Sequence, residues 1–282
     1  MPVYKNTFPV LLLFMLSFVS CKSRVQYKSP AGYDLIKPEK IVLNNALHEI
    51  SGICFLNGNS IDIFAIEDED GILYSYTLAN GNTSKLKFGK KGDYEDVAVL
   101  DNNSFTVLKS DGSLFKFPVS DIGKATIESV REYKHILPEG EYEGLAAADN
   151  KLFALCKNCP GDKGKKEVSV YTVQQDAAAL LSVAGSFKID VSMVQAKGEK
   201  EKFNPSCLAK HPLTKDWFII SSVNKLLLVL DEQWKVTAFY PLNPSLFNQP
   251  EGIAFNNNGD LYISNEGGAG AADILLFRYQ RQ

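Results

Sequence analysis

Histidine is scarce. The 282-residue chain has three, His48, His135 and His211, each in a different sequence context, and no Ser-His-Asp order can be built from them. There is no G-x-S-x-G elbow, P-loop, dinucleotide fingerprint or H-E-x-x-H. The local signatures of many hydrolases, NTPases, dehydrogenases and zinc proteases are therefore missing. Neither sign of charge dominates. Thirty basic against 33 acidic residues give a net charge of −3, which is not the footprint of a nucleic-acid binder, and no nucleic-acid partner is expected. No apolar run reaches the ~20 residues of a bilayer-spanning helix. Cysteines number five. Cys156-Lys157-Asn158-Cys159 is a lone C-x-x-C, with no second pair for a four-cysteine zinc site and no βαβ context for thioredoxin chemistry. Free thiols and a local disulfide both fit it. Cys54 and Cys207 read as small hydrophobes inside strands.

What is present begins with a targeting segment. Lys5 precedes an apolar run from Phe8 to Val19, broken only by Pro9 and Ser17. That is the length of a signal-peptide core rather than a membrane span. The run ends in Leu16-Ser17-Phe18-Val19-Ser20-Cys21, which resembles a bacterial lipobox, with Cys21 as the lipidated residue. Residues 1–20 are then a lipoprotein signal peptide and 21–40 a polar tether, leaving 41–282 as one domain. The acyl chains would hold the protein to a membrane in the cell envelope. No acidic run follows Cys21, which favours a periplasm-facing position.

Glycine (20), phenylalanine (17) and tyrosine (12) are plentiful, as suits a turn-rich β protein. One short phrase recurs five times: Ser51-Gly52-Ile53-Cys54, Glu95-Asp96-Val97-Ala98, Glu143-Gly144-Leu145-Ala146, Ser206-Cys207-Leu208-Ala209 and Glu251-Gly252-Ile253-Ala254. Its starts lie 44, 48, 63 and 45 residues apart. Each phrase is followed by a turn, an apolar run, a polar turn and a third alternating segment. A fourth segment is legible in the first four repeats, for example Thr126 to Tyr133 and Val236 to Tyr240. Four strands per unit at this period predict an all-β propeller of five four-stranded blades. The long third interval is read as a loop at residues 191–202; six blades would require that insertion to hide a degenerate one. The fifth repeat ends without a fourth strand, and Ile41-Val42-Leu43 stands alone before the first. An N-terminal strand closing the ring is the expectation. Gly52, Gly144, Gly252, Ala98, Ala146, Ala209 and Ala254 are read as packing choices on crowded innermost strands.

Over residues 40–282 the chain resembles the SdiA-regulated family of bacterial envelope propellers. The resemblance rests on His48-Glu49-Ile50-Ser51-Gly52-Ile53, Gly92-Asp93-Tyr94-Glu95, Glu141-Tyr142-Glu143-Gly144-Leu145-Ala146 and Gln249-Pro250-Glu251-Gly252-Ile253-Ala254, with Leu261 to Glu266 following. The family's order of lead residues, Ser, Glu, Glu, Ser, Glu, is kept as Ser51, Glu95, Glu143, Ser206 and Glu251. The family often places an acid after the second strand. Glu69 and Glu266 fill that role here, whereas the second repeat offers Lys109-Ser110. Phytase- and esterase-like relatives imply an enzyme only by analogy of fold.

Equivalent residues of successive blades share one depth around one axis. Glu95, Glu143 and Glu251 should therefore meet at the channel mouth, with Ser51, Ser206, Glu69, Glu266 and His48 around the funnel. Carboxylates gathered there repel one another. Either a hard cation, Ca²⁺ or Mg²⁺, sits among them, or each is a structural glutamate bonded to neighbouring backbone. Two functions stay open. One is a binding module for a small ligand or an envelope protein. The other is a metal-assisted hydrolase of the phytase/phosphatase, esterase or lactonase kind, for which the sequence offers carboxylates but no base of evident tuned acidity.

Overall fold

The structure is a computed structural model that describes residues 1–3, 27–124, 126–127, 129–162, 166–195 and 202–281. The apolar core of the signal segment and the Cys21 lipidation site lie outside the described residues. Among the described residues no helix is long and apolar enough to cross a membrane.

The repeats fold as read. A first strand, β1 (Glu39–Val42), precedes the blades. Blade 1 is β2 (Ile50–Phe55), β3 (Asp62–Glu67), β4 (Ile72–Thr77) and β5 (Thr83–Lys87). Blade 2 is β6 (Tyr94–Leu100), β7 (Ser104–Lys109), β8 (Leu114–Pro118) and β9 (Arg131–Tyr133). Blade 3 is β10 (Glu141–Ala148), β11 (Lys151–Asn158), β12 (Glu167–Gln175) and β13 (Leu181–Asp190). Blade 4 follows the single-turn helix α1 (Ser192–Gln195) and comprises β14 (Cys207–Lys210), β15 (Trp217–Ser221), β16 (Leu226–Leu230) and β17 (Val236–Pro241). Blade 5 is β18 (Pro250–Phe255), β19 (Leu261–Asn265) and β20 (Asp273–Phe277), completed by β1. Among the described residues there are five four-stranded antiparallel sheets, which is the five-bladed count rather than six; residues 192–195 of the insertion before blade 4 form the short helix.

Closure works as the unpaired N-terminal strand suggested. β1 lies antiparallel to β20 with Ile41 opposite Ile274. Lys40 adds an ion pair to Asp273 at 2.6 Å, and Arg278 takes both oxygens of Glu39 at 2.9 and 3.1 Å. Each blade faces its neighbour through an apolar layer, giving five buried clusters, one per junction. Between blades 3 and 4, for example, Trp217 stacks on Trp234 with centroids 4.0 Å apart and meets Phe153 edge-on.

Two local readings change. The strand expected over Thr126 to Tyr133 is confined to Arg131–Tyr133. Upstream of it, Thr126 bridges Lys87 of the neighbouring blade and Ile127 turns into the apolar layer between blades 1 and 2, leaving only the last residues to follow the blade edge. The polar tether also yields part of its length to the core. Tyr33 and Leu35 are buried between blades 4 and 5, where the Tyr33 hydroxyl donates to the Gly259 carbonyl at 2.6 Å.

The innermost strands are as crowded as their glycines implied. A Cβ on Gly52 would lie 2.1 Å from Asp96 Oδ1, and one on Gly252 would lie 2.6 Å from the Ser51 carbonyl oxygen. Asp96, second in its phrase where three other repeats have glycine, is buried and spans two blades. Its carboxylate accepts from the Val97 N–H at 2.8 Å and from the Leu145 N–H at 2.7 Å.

Candidate functional site

In four of the five blades the inner strand slips register at its lead residue. The irregularities fall between Ile50 and Ile53, Tyr94 and Asp96, Tyr142 and Gly144, and Pro250 and Gly252. A bulge takes a residue out of the ladder and re-aims its side chain. Here it turns Ser51, Glu95, Glu143 and Glu251 into a common cavity on the axis. Ser206 joins them from just ahead of β14, with its N–H bonded to the Ile220 carbonyl at 2.8 Å. The cavity measures about 270 Å³.

Among the described residues seven carboxylates and one ammonium line it. Glu95, Glu143, Glu251 and Glu266 were legible as funnel residues; Asp68, Asp93, Glu141 and Lys157 were not. Asp93 and Glu141 stand two positions before a lead glutamate, and both line the same cavity as that glutamate. The acid-x-acid spacing of Asp93-Tyr94-Glu95 and Glu141-Tyr142-Glu143 was the signal. Asp68 and Glu266 each follow a residue paired to the start of the inner strand, Glu67 opposite Ile50 and Asn265 opposite Pro250. Asp68, not Glu69, therefore fills the position after the second strand. Glu69 is exposed and paired with Lys91 at 3.0 Å. His48 stands outside the cavity lining. Its Nδ1 meets Glu49 Oε1 at 2.6 Å and its Nε2 lies 3.1 Å from the Gly270 carbonyl oxygen.

Lys157 is the only cation among the described residues of the cavity wall. It sits inside the Cys156–Cys159 disulfide loop, and its Nζ reaches Glu143 Oε1 at 2.6 Å and Glu141 Oε1 at 3.3 Å. Burial works against the Lys157 ammonium, but these two carboxylates outweigh it and hold the lysine charged.

Burial is the largest influence on the acids. It pushes the Glu95 carboxyl up to about 9, with the Glu143 and Asp93 charges adding and Lys157 opposing. Glu95 has no hydrogen bond from a described residue to offset this. Glu143 is pushed up to about 7, its Lys157 partner holding it lower than Glu95. Burial, then Glu251, Glu49 and Asp68, push Glu266 up to about 7. Glu251 also rises through burial, restrained by the hydroxyls of Ser222 and Ser206. The structural reading of the glutamates thus fits Glu251 in part, since it has hydroxyl donors, and does not fit Glu95.

Among the described residues no group of three or more His, Cys, Asp or Glu is placed to hold a metal ion. The carboxylates line the wall of a chamber rather than closing on one point. Walls of this kind suit a cation that keeps its water shell, or an organic cation with separated charges.

The SdiA-regulated family model matches residues 32–268. The search of curated proteins gave no match. Among solved structures, the apo form of the soluble aldose sugar dehydrogenase of Escherichia coli is 13% identical, with 86% of this chain and 100% of that one covered, at a TM-score of 0.54. The PQQ-bound aldose sugar dehydrogenase of Streptomyces coelicolor is 10% identical, with coverage of 86% and 99%, at 0.53. Streptogramin B lyase is 14% identical over 82% of this chain, at 0.46, and the chain spans 66% of its length, just under two thirds. At these identities the likeness to the two dehydrogenases is one of fold. The chain belongs to the SdiA-regulated family.

Proposed function

We propose that this SdiA-regulated propeller is a binding module of the cell envelope, anchored through Cys21 and facing the periplasm, whose axial chamber takes a cationic ligand. The ligand is a hydrated divalent ion such as Ca²⁺ or Mg²⁺, a small organic polycation, or a cationic side chain of an envelope protein. One observation carries the reading: among the described residues seven carboxylates share a chamber with one lysine, and no described residue donates a hydrogen bond to Glu95. Unless a positive charge enters, such a chamber has to hold protons to limit its own repulsion. Binding should therefore release protons near neutral pH. Calorimetric titration of chelator-treated protein with Ca²⁺, Mg²⁺ and spermidine, in two buffers of different ionisation enthalpy, tests this. Saturable binding with proton release is expected for at least one of them. No binding of any of the three, with an unchanged melting temperature, would refute it; at 100-fold excess over Kd a bound ion stabilises by ~2.7 kcal/mol.

A second reading has its own observation. Metal-assisted hydrolysis of a phosphoester, ester or lactone needs a general base, and Glu143 and Glu266, both pushed to about 7, are in the range such a base requires. Turnover of fluorogenic phosphate or ester substrates that depends on added Ca²⁺ would favour it over binding alone.

A further inference from the structure

Across the loop of residues 88–93 from the acidic chamber lies a second, larger cavity of about 570 Å³. It opens between blades 1 and 2 and has the opposite charge. Lys87, Lys90, Lys91, Lys109 and Lys134 surround it, with Glu132 as the one acid among its described lining residues. Three of these lysines are engaged: Lys91 with Glu69 at 3.0 Å, Lys109 with Asp111 at 3.7 Å and Lys134 with Glu132 at 3.9 Å. Lys87 and Lys90 are exposed and have no ion-pair partner among the described residues. Unmatched cations around one concavity stand out on a chain whose net charge is −3.

The floor is aromatic. Phe88 meets Tyr94 edge-on at 5.2 Å and Phe115 at 5.9 Å, and stacks on Phe117 at 5.1 Å. Ile127 and Val130 form the far wall. The lysine-bearing loop is fixed in place by a close backbone approach. The N–H groups of Phe88 and Gly89 both donate to the Gly71 carbonyl, at 2.8 and 3.0 Å. A Cβ on Gly71 would stand 2.5 Å from Gly89 backbone atoms, so only glycine at position 71 allows this approach. The volume falls in the range of ~300–1,000 Å³ common to small-molecule sites.

We propose that this groove is a binding site for a small anionic amphiphile, its apolar body on the Phe88–Phe115 floor and its phosphate, sulfonate or carboxylate between Lys87 and Lys90. Such a ligand is repelled by the axial chamber, so the groove is a separate site and stands whether or not the chamber binds cations.

The probe is 8-anilinonaphthalene-1-sulfonate, an aromatic body with one anionic group. Saturable one-to-one fluorescence enhancement is expected, displaced by decyl phosphate but not by uncharged decanol. Charge reversal in the double variant Lys87→Glu, Lys90→Glu should weaken the probe at least about tenfold, equivalent to ~1.4 kcal/mol. Both side chains are exposed, and an unchanged near-UV circular dichroism spectrum establishes that the variant is folded. No saturable binding, equal binding by the double variant, or equal displacement by decanol would each overturn the proposal. Displacement by inorganic phosphate alone at the same concentration as decyl phosphate would overturn the apolar half of the site.

Discussion

Raising the pH from 7 to 9 should destabilise the ligand-free protein, and removing the Glu95 carboxyl should recover a measurable part of the loss. In the unfolded chain a glutamate titrates near its ordinary value of 4.5; in the fold burial pushes Glu95 up to about 9. Between those values the folded state holds a proton that the unfolded state has released. The stabilisation is therefore complete below about 4.5 and disappears as pH rises through about 9. A fully retained proton makes stability fall by ~1.4 kcal/mol per pH unit, and because Glu95 is half titrated at about 9 the loss from pH 7 to 9 is ~2.3 kcal/mol. At ~2–4 °C per kcal/mol for a domain of this size, the melting temperature should drop by ~5–9 °C. Burial also raises Asp96, Glu251, Cys54 and Cys207 with the same sign, so the comparison with a Glu95 variant, rather than the pH window alone, isolates Glu95. Glu143 and Glu266, at about 7, exert their effect mostly at or below the lower edge of that window. His211, pushed down to about 4 by burial, has the opposite sign and acts only below about 6.5. The assay is thermal melting of chelator-treated wild type and Glu95→Gln at pH 7, 8 and 9. Glutamine keeps the shape and cannot titrate, so its melting temperature should fall less steeply than that of the wild type. Equal slopes for the two proteins would refute the assignment of the proton to Glu95.

Three further outcomes are expected. Asp96→Asn is almost isosteric but turns an amide N–H₂ toward the Val97 or Leu145 N–H, so urea denaturation should show a loss of about 1–3 kcal/mol. Deleting residues 39–42 should lower the melting temperature far more than deleting 22–28, because only the first opens the ring and bares the β20 edge; similar melts would argue against closure by β1. Cys21→Ala should move the protein from the membrane to the soluble fraction on cell fractionation, and unchanged membrane retention would refute the lipid anchor.

The blade count was readable because the lead phrase repeats at one depth in every blade, and the unpaired Ile41-Val42-Leu43 pointed to its own partner. The site was readable only where it coincided with that phrase. Glu95, Glu143 and Glu251 announce themselves by repetition, whereas Lys157 stands near the end of β11 at a position where other blades have an acid or a serine, and no repeat predicts a cation there. Asp68 and Glu69 are adjacent and chemically alike. Only the pairing of Glu67 with Ile50 decides which faces the axis. Asp96 was hidden for another reason: it holds a slot that glycine fills in three other repeats, and its role exists only once a second blade brings the Leu145 N–H to it. The buried Tyr33 escaped notice because it lies in a stretch that is otherwise polar.

The closing pair also bears on how the molecule assembles. Glu39 and Arg278 meet across 239 residues, whereas each blade is otherwise built from neighbouring hairpins. Hairpins form quickly and can gather into an open arc, but the last junction demands the longest loop closure in the chain. Until then the arc exposes the apolar layer that blades 5 and 1 later share, Ile50, Ile63 and Ile274 included, together with the bare edge of β20. That edge accepts any free strand, including one from another copy. The hazard to this protein therefore lies in the time before closure rather than in the stability of the finished ring. Its refolding yield is governed by a race between a first-order closure and a second-order encounter, and dilution is what decides it.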